Sequence, residues 1–355
     1  MSNFDDMKLA VEALSGGKNT VLFDDLGMPS IMVILPKMIS SAICAGATET
    51  VHPGFVLDNA EKEKVALSKY HNIIVNDRAY SLPMQDPKAS LTWQTALNAC
   101  RQKGDGWGLT PFSLYGAIAL WCKQNGTMPH GNNNYGKDVT YTHERGVASY
   151  KDSTGQVCRT ATGSGPATWY HDHTPFGIAD LNGNVWDWCA GMRLVNGEIQ
   201  IIPYANCMRA TCDMGENSTE WKAIMPNGSL VDPGTSGTLK YDYVSGKVTL
   251  CTSITTTVGS ETNGTGSGST FQNMVAATGV TAPQILKELA LFPADADGYE
   301  GDYFYVNNAA AERFPIRGGG WSYGAYAGVF CTGLLSARSN SSTIVGFRSA
   351  FYGEL

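Results

Sequence analysis

Residues able to do chemistry are few in this chain, and they are scattered. His171-Asp172-His173 could bring two imidazoles and a carboxylate onto one metal, because ligands two positions apart converge on a strand or loop. No further His or Cys lies close by in sequence, so the expectation is a structural loop. Asp180, Asn182 and Asn184 imitate the start of a calcium loop. Val185, however, stands where the sharp-turn glycine belongs and Gly191 where the bidentate glutamate belongs, which excludes an EF-hand. The nine cysteines contain no Cys-x-x-Cys pair, and the closest two, Cys207 and Cys212, are five positions apart. A zinc ribbon or thioredoxin-type site is therefore not expected. The odd count leaves at least one thiol unpaired or linked to another chain, and mostly reduced, structural cysteines are the expectation. The glycine clusters at 104–108 and 163–165 lack the Lys-Ser/Thr ending of a phosphate loop. Gly163-Ser164-Gly165 also lacks the flanks of a nucleophile elbow, so a hydrolase has no motif behind it.

The elements that must position any site read as loop-rich. Met7 to Leu14 has helical spacing before Gly16 and Gly17, and Thr20 to Leu35 reads as strand, turn, strand. So short a hairpin cannot be a domain by itself; residues 1–45 are expected to be an attachment or assembly module, with a local packing arm as the alternative. Short strands are predicted at Lys64 to Tyr70 and at Ile73 to Val75. Thr92 is placed as the N-cap of a helix carrying Trp93, Ala96, Leu97 and Cys100 on one face, and a second helix spans Phe112 to Lys123. Residues 125–165 are turn-forming and polar. Residues 192–310 read as an insertion, with an alternating strand pattern from Leu239 to Leu250 and a Gly/Ser/Thr tract from Gly259 to Thr270 expected to be mobile. No repeat of fixed period is present.

Bulk composition narrows the partners. The 355 residues are 43% hydrophobic and 16% charged, which suits a soluble globular protein, and the 40 glycines point to many tight turns. A formal charge of −7, with lysines and arginines dispersed singly, offers no field for phosphates, so no nucleic-acid partner is expected. Met1 to Asp6 has no basic segment, and the apolar stretch Ile31 to Ile43 is broken by Pro36, Lys37 and serines. Neither a signal peptide nor membrane insertion is expected.

Three segments carry a resemblance. Trp93, Ala96 and Cys100 followed by Gly106-Trp107-Gly108-Leu109-Thr110 are similar to the helix and Gly-Trp-Arg-Leu-Pro-Thr turn of the formylglycine-generating-enzyme (sulfatase-modifying factor) family, with Gly108 for Arg and Thr110 for Pro. Gly183-Asn184-Val185-Trp186-Asp187-Trp188 resembles its Gly-Asn-Val-Trp-Glu-Trp signature, the most specific match. Arg317-Gly318-Gly319-Gly320-Trp321, Ala337-Arg338 and Gly346-Phe347-Arg348 resemble its closing Arg-Gly-Gly-Ser-Trp, Ala-Arg and Gly-Phe-Arg elements, in order. The resemblance implies an α+β, loop-rich variant of the C-type lectin fold over residues 46–355, with Trp186, Trp188, Arg317, Trp321, Arg338 and Arg348 as scaffold. Paired tryptophans fill a core and buried arginines tie loops down, so these residues argue fold and not activity.

The enzymatic branch of that family binds copper through two cysteines after the Arg-Gly-Gly-Ser-Trp element. Between Trp321 and Arg338 this chain has only Cys331, and one thiolate cannot make a dithiolate site. The closer resemblance is to the variable proteins of diversity-generating retroelements, of the phage tropism-determinant type, supported less firmly by Ser68 to Ile73 and Tyr80 to Pro83. Those proteins diversify a closing segment through adenine-directed mutation of Asn codons, which yields every residue type except Lys, Glu, Gln, Met and Trp. None of these five types occurs from Ser322 through Ile344. The resemblance thus implies a variable segment at about 320–345, with Ser322, Tyr323, Tyr326, Cys331, Gly333, Leu335, Ser336, Ser342 and Ile344 as exposed ligand-binding positions. Tyrosine and serine suit such surfaces: one gives rigid contact area, the other adaptable hydrogen bonds. The competing reading is that Tyr323, Tyr326 and Leu335 are packed core. The expected function is non-enzymatic binding of a bacterial surface protein or other macromolecular receptor, on a phage tail or a bacterial cell surface. A homotrimer fits repeated display. No cofactor is expected, with calcium the one candidate ion. The alternatives are a formylglycine-generating-type oxidase and a fixed calcium-dependent lectin.

Overall fold

The computed structural model describes residues 3–355; Met1 and Ser2, which belong to the stretch read above as lacking a signal peptide, lie outside the described residues. Three helices matter here: α1 (Asn3–Ser15), α2 (Trp93–Arg101) and α3 (Phe112–Asn125). The strands that carry the site, in chain order, are β1 (Asn19–Phe23), β2 (Pro29–Pro36), β3 (Lys64–Ser68), β4 (Trp107–Leu109), β5 (Trp186–Trp188), β6 (Ser267–Thr270), β7 (Tyr303–Val306), β8 (Phe314–Gly318), β9 (Gly328–Ser336), β10 (Val345–Phe347) and β11 (Ser349–Phe351).

Local signals explain the helices. The Thr92 hydroxyl accepts the Thr95 N–H at 3.1 Å and so starts α2 as expected, and Gly126, at φ +65°, ends α3. α2 buries one apolar face through Trp93, Ala96, Leu97 and Cys100, whereas α3 is covered on all sides from Phe112 to Leu120.

Two sheets share the core. One has the order β1-β2-β3-β11-β4, so the N-terminal hairpin pairs through β2 and β3 with the strand that closes the chain. Val33, Leu35 and Ile43 from the first 45 residues lie in the main core. The other sheet has the order β6-β7-β9-β8-β5-β10. Its centre gathers two of the resemblance segments: Asp187 pairs with Arg317 across β5 and β8, and Trp186 to Trp188 run parallel to Val345 to Phe347. The α+β class is as expected, and the Gly-Trp turn joins the core through β4 against β11.

Residues 192–310 contribute a further seven-stranded sheet and also supply β6 and β7 to the six-stranded one. The alternation from Leu239 to Leu250 is a hairpin and not one strand: Lys240–Val244 pairs with Lys247–Cys251 around Ser245 and Gly246, both at positive φ. The Gly/Ser/Thr tract, expected to be mobile, is fastened. Asn307 donates to the carbonyls of Ser260 (2.7 Å) and Thr265 (3.0 Å), and Ser267–Thr270 pairs with β7. Buried amide bonds of this kind outweigh the tract's low side-chain content. No helix among the described residues is long and apolar enough to cross a membrane.

Candidate ligand-binding site

Glycine geometry sets where the site begins. At the end of β8, Gly318 and Gly319 adopt φ of +94° and +82°, and a Cβ on Gly319 would stand 2.5 Å from that of Ala327. The backbone therefore turns sharply into 321–326, a path that side chains would block. Trp321 then buries itself against Ala89, Cys158 and Val185. Its N–H donates to the Asn184 carbonyl at 3.1 Å, and its carbonyl accepts from Tyr135 at 2.8 Å. Asn184, at φ +60°, pairs its side-chain amide with the Thr160 main chain, accepting at 2.9 Å and donating at 3.0 Å.

Arginines anchor the other ends. Arg317 is fully buried between the rings of Phe112 and Tyr115, 4.8 Å from each, and donates to the Val329 carbonyl at 2.8 Å. Arg338 makes a forked contact with Glu312 at 2.7 and 2.8 Å and lies over Phe314. Arg348, fully buried, donates to Asp187 (2.9 Å) and to the carbonyls of Lys69, Ala179 and Asp180. Burial disfavours the Asp187 carboxylate, but the charge of Arg348 and the neighbouring His71 outweigh it and hold its pKa below the usual range. Trp186 and Trp188 are likewise buried, the latter donating to the Leu91 carbonyl at 3.3 Å. Gly108 and Thr110, the two departures from the family turn, have their own reasons. A Cβ at 108 would meet the Met208 sulfur at 2.7 Å, and the Thr110 hydroxyl donates to the Arg348 carbonyl at 2.8 Å.

On this scaffold the closing segment folds around one cavity of about 230 Å³. Tyr323, Gly333, Leu335, Ser336, Ser342 and Ile344, drawn from a turn, a strand and a loop, all line it. Their main chains are held by other residues, and their side chains are partly engaged: the Ser336 hydroxyl accepts from Asn340 at 3.0 Å, Tyr323 meets Trp186 edge-to-face, and Ile344 packs on the core. The Leu335, Ser342 and Ile344 carbonyls accept from Gly264 (3.1 Å), Ser90 (3.0 Å) and Trp186 (2.8 Å). Ser322 and Tyr326 are exposed, Tyr326 by 51%.

Of the nine positions expected to be exposed, only Ser322 and Tyr326 are; Tyr323, Leu335, Ser342 and Ile344 are half-buried, and Cys331, Gly333 and Ser336 are buried. Cys331 is 0% exposed; it lies close to Tyr305 and Tyr323, and desolvation pushes its thiol well above the ordinary range. Gly333 and Ser336 are also buried as residues, although they line the cavity floor. The cause is that β9 is an inner strand, paired with β7 on one side and β8 on the other, with Gly333 opposite Tyr305, so nearly all of its residues are covered.

Several lining residues come from outside the closing segment and were not foreseen. Asn263, Gly264 and Tyr305 belong to the insertion, and Trp186 and Ile316 to the scaffold. Tyr303 and Tyr305 were legible as an alternation in Tyr303-Phe304-Tyr305-Val306, which places both rings on one face. The rings are contiguous: Tyr303 to Tyr326 4.5 Å, Tyr303 to Tyr305 4.8 Å, Trp186 to Tyr323 4.9 Å edge-to-face. No Asp, Glu, Lys or Arg lines the cavity.

The His171-Asp172-His173 loop is engaged internally. His171 accepts the Ile178 N–H at Nδ1, Asp172 accepts from Thr174, and His173 lies 3.1 Å from the Met128 carbonyl. Among the described residues no group of three or more His, Cys, Asp or Glu side chains is placed to hold a metal, and all nine cysteines are buried free thiols.

No family model and no curated protein matches the chain. Among solved structures it is similar to the Major Tropism Determinant U1 variant, at 10% identity and a TM-score of 0.32 over 94% of this chain and 71% of that one. The P3c variant of the same protein gives 11% identity and a TM-score of 0.33 over the same shares. PvdO from Pseudomonas aeruginosa gives 14% identity and a TM-score of 0.37 over 94% of this chain and 97% of that one.

Proposed function

We propose that this chain is a receptor-binding protein whose contact surface is the segment 322–344, and that it has no catalytic role. The observation that carries this reading is the convergence of Tyr323, Gly333, Leu335, Ser336, Ser342 and Ile344 on one cavity while their backbone is fixed by other residues. A main chain preorganised by other residues is what an exchangeable contact surface needs, because exchange then changes affinity without reordering the fold. The absence of a second cysteine beside Cys331, and that thiol's burial, favour binding over copper-dependent oxidation.

In this reading the protein is displayed on a phage tail or a bacterial surface, in several copies, and meets a macromolecular receptor of the host without a cofactor. Diversification by a retroelement accounts for the five residue types missing from 322–344. The test is binding of the purified full chain to a panel of bacterial cells. Tyr326→Ala, at a half-exposed ring, is expected to lower binding tenfold or more, in the range of about 1.5–3 kcal/mol for an aromatic contact at an interface centre, with the melting temperature shifted by no more than a few degrees. Unchanged cell binding by Tyr326→Ala and by Leu335→Asn together would overturn the assignment of this surface. Sequencing the gene's 3′ end with its flanking DNA tests diversification separately: a template copy differing only at adenines is expected.

A further inference from the structure

We infer that the residues fixed around the cavity restrict its ligand to an uncharged sugar ring, so that the receptor is recognised through a neutral glycan. This rests on the receptor-binding reading above and names the ligand class for the same site.

The lining has three properties that together select the ligand. First, it holds no ionisable Asp, Glu, Lys or Arg, so neither a phosphate nor an acidic sugar finds a counter-charge there. Second, its walls are aromatic: Tyr305 and Tyr323 are half-buried, with ring centroids 6.3 Å apart at 86°, and Trp186 abuts Tyr323. The electron-rich ring face attracts the weakly positive C–H edges of a sugar. Third, the polar groups are half used. Asn263 accepts the Ala337 N–H at 2.8 Å, and its amide N–H groups have no partner among the described residues. Asn340 donates to the Ser336 hydroxyl at 3.0 Å, leaving its carbonyl oxygen free to accept. The indole N–H of Trp186 lies beside the Tyr323 hydroxyl without an aligned hydrogen bond.

Unused donors and acceptors around one cavity suit a ring that carries several hydroxyls, each of which donates and accepts. An apolar peptide side chain would leave the buried Trp186 indole N–H unsatisfied, which disfavours it. The volume of about 230 Å³ admits one ring-sized group and not a helix or strand. Asn263 and Tyr305 lie outside 322–344, so they would set this ligand class for every variant, while the exchangeable positions choose among sugars and linkages.

The test uses the full chain on an array of neutral hexose and N-acetylhexosamine oligosaccharides beside acidic ones, with and without EDTA and at low and high salt. Binding confined to neutral sugars and insensitive to EDTA and salt is expected, with Tyr305→Ala and Asn263→Ala each lowering affinity about tenfold. Should Tyr305→Ala disturb the fold, Tyr305→Phe is the control, expected to keep the stacking and most of the affinity. In parallel, host cells are treated with periodate, which cleaves vicinal diols, or with protease. Loss of Tyr326-dependent cell binding only after protease, with an empty array, would overturn the glycan assignment and leave the receptor-binding surface standing. Absence of any Tyr326-dependent cell binding would instead remove the reading on which it rests.

Discussion

Arg348 gives the scaffold its sharpest test. Replacing it with Met keeps a similar stem length and removes a guanidinium that, in a fully buried site, donates to Asp187 at 2.9 Å and to the carbonyls of Lys69, Ala179 and Asp180 at 3.2, 2.7 and 3.0 Å, and that lies 3.2 Å from the His71 ring. The Asp187 carboxylate, itself buried, is then left with the His71 ring nitrogen at 3.5 Å as its side-chain neighbour. Removing one partner of a buried pair costs about 3–5 kcal/mol, and the unserved carbonyls push the figure toward the upper end. Tyr326→Ala is the internal comparison. About half of that ring is already in water, so its truncation costs at most about 2 kcal/mol at ~25 cal/mol per Å². The assay is urea unfolding followed by tryptophan fluorescence, for wild type, Arg348→Met, Asp187→Asn and the double variant. A coupling of about 2 kcal/mol or more is expected between the two sites, because the double variant no longer strands a charge. An Arg348→Met protein within about 1 kcal/mol of wild type, or additive effects, would refute the assignment of Arg348 as the anchor beneath β10.

Other expectations follow from the same geometry. Gly319→Ala forces a side chain into φ +82° and onto Ala327; it should lower stability by about 2 kcal/mol or more and weaken cell binding, measured by thermal unfolding and the binding assay. Lys103, buried over the Trp107 ring and donating to Ser30 at 2.8 Å, has its ammonium pushed down by burial to about 7 from an ordinary 10.5. Between those two values the unfolded chain binds the extra proton. Stability contributed by this group therefore rises as pH goes from about 7 to 10 and is lowest below 7, on the order of 2–4 kcal/mol across the window. Lys103→Met should flatten that slope in denaturant titrations at several pH values; an identical slope would contradict the assignment.

What could be read from the sequence was whatever is locally encoded. The Thr92 cap and the helices α2 and α3 sit where spacing and residue type placed them, while the Gly-Asn-Val-Trp and Arg-Gly-Gly-Gly-Trp segments, read from the resemblance, meet in one sheet. The positions named as variable came from a resemblance and a missing set of residue types; six of the nine line the cavity. What escaped depends on pairing across long separations. Nothing local says that Tyr303–Val306 lies beside Gly328–Ser336, so neither the Tyr305 wall nor the burial of Cys331 under the aromatic residues of other segments could be foreseen. The Gly/Ser/Thr tract looked like a linker because its anchor, Asn307, is 42 residues away from Thr265. Conversely, the exposed look of Ser336 reflected its side chain type and not its place at the end of β9.

The central claim is that side chains on 322–344 are exchangeable over a fixed backbone and decide what is bound. The most direct measurement is a display library of the full chain randomised at Ser322, Tyr323, Tyr326, Leu335, Ser342 and Ile344, sorted first for protease resistance and then for binding to different bacterial cells. A matched library at Trp186, Arg317 and Arg348 serves as the reference. The expected result is that most members of the first library stay folded and differ in the cells they bind, while most of the reference library is cleaved. Equal loss of folding in the two libraries, or folded members that all bind the same cells, would contradict it.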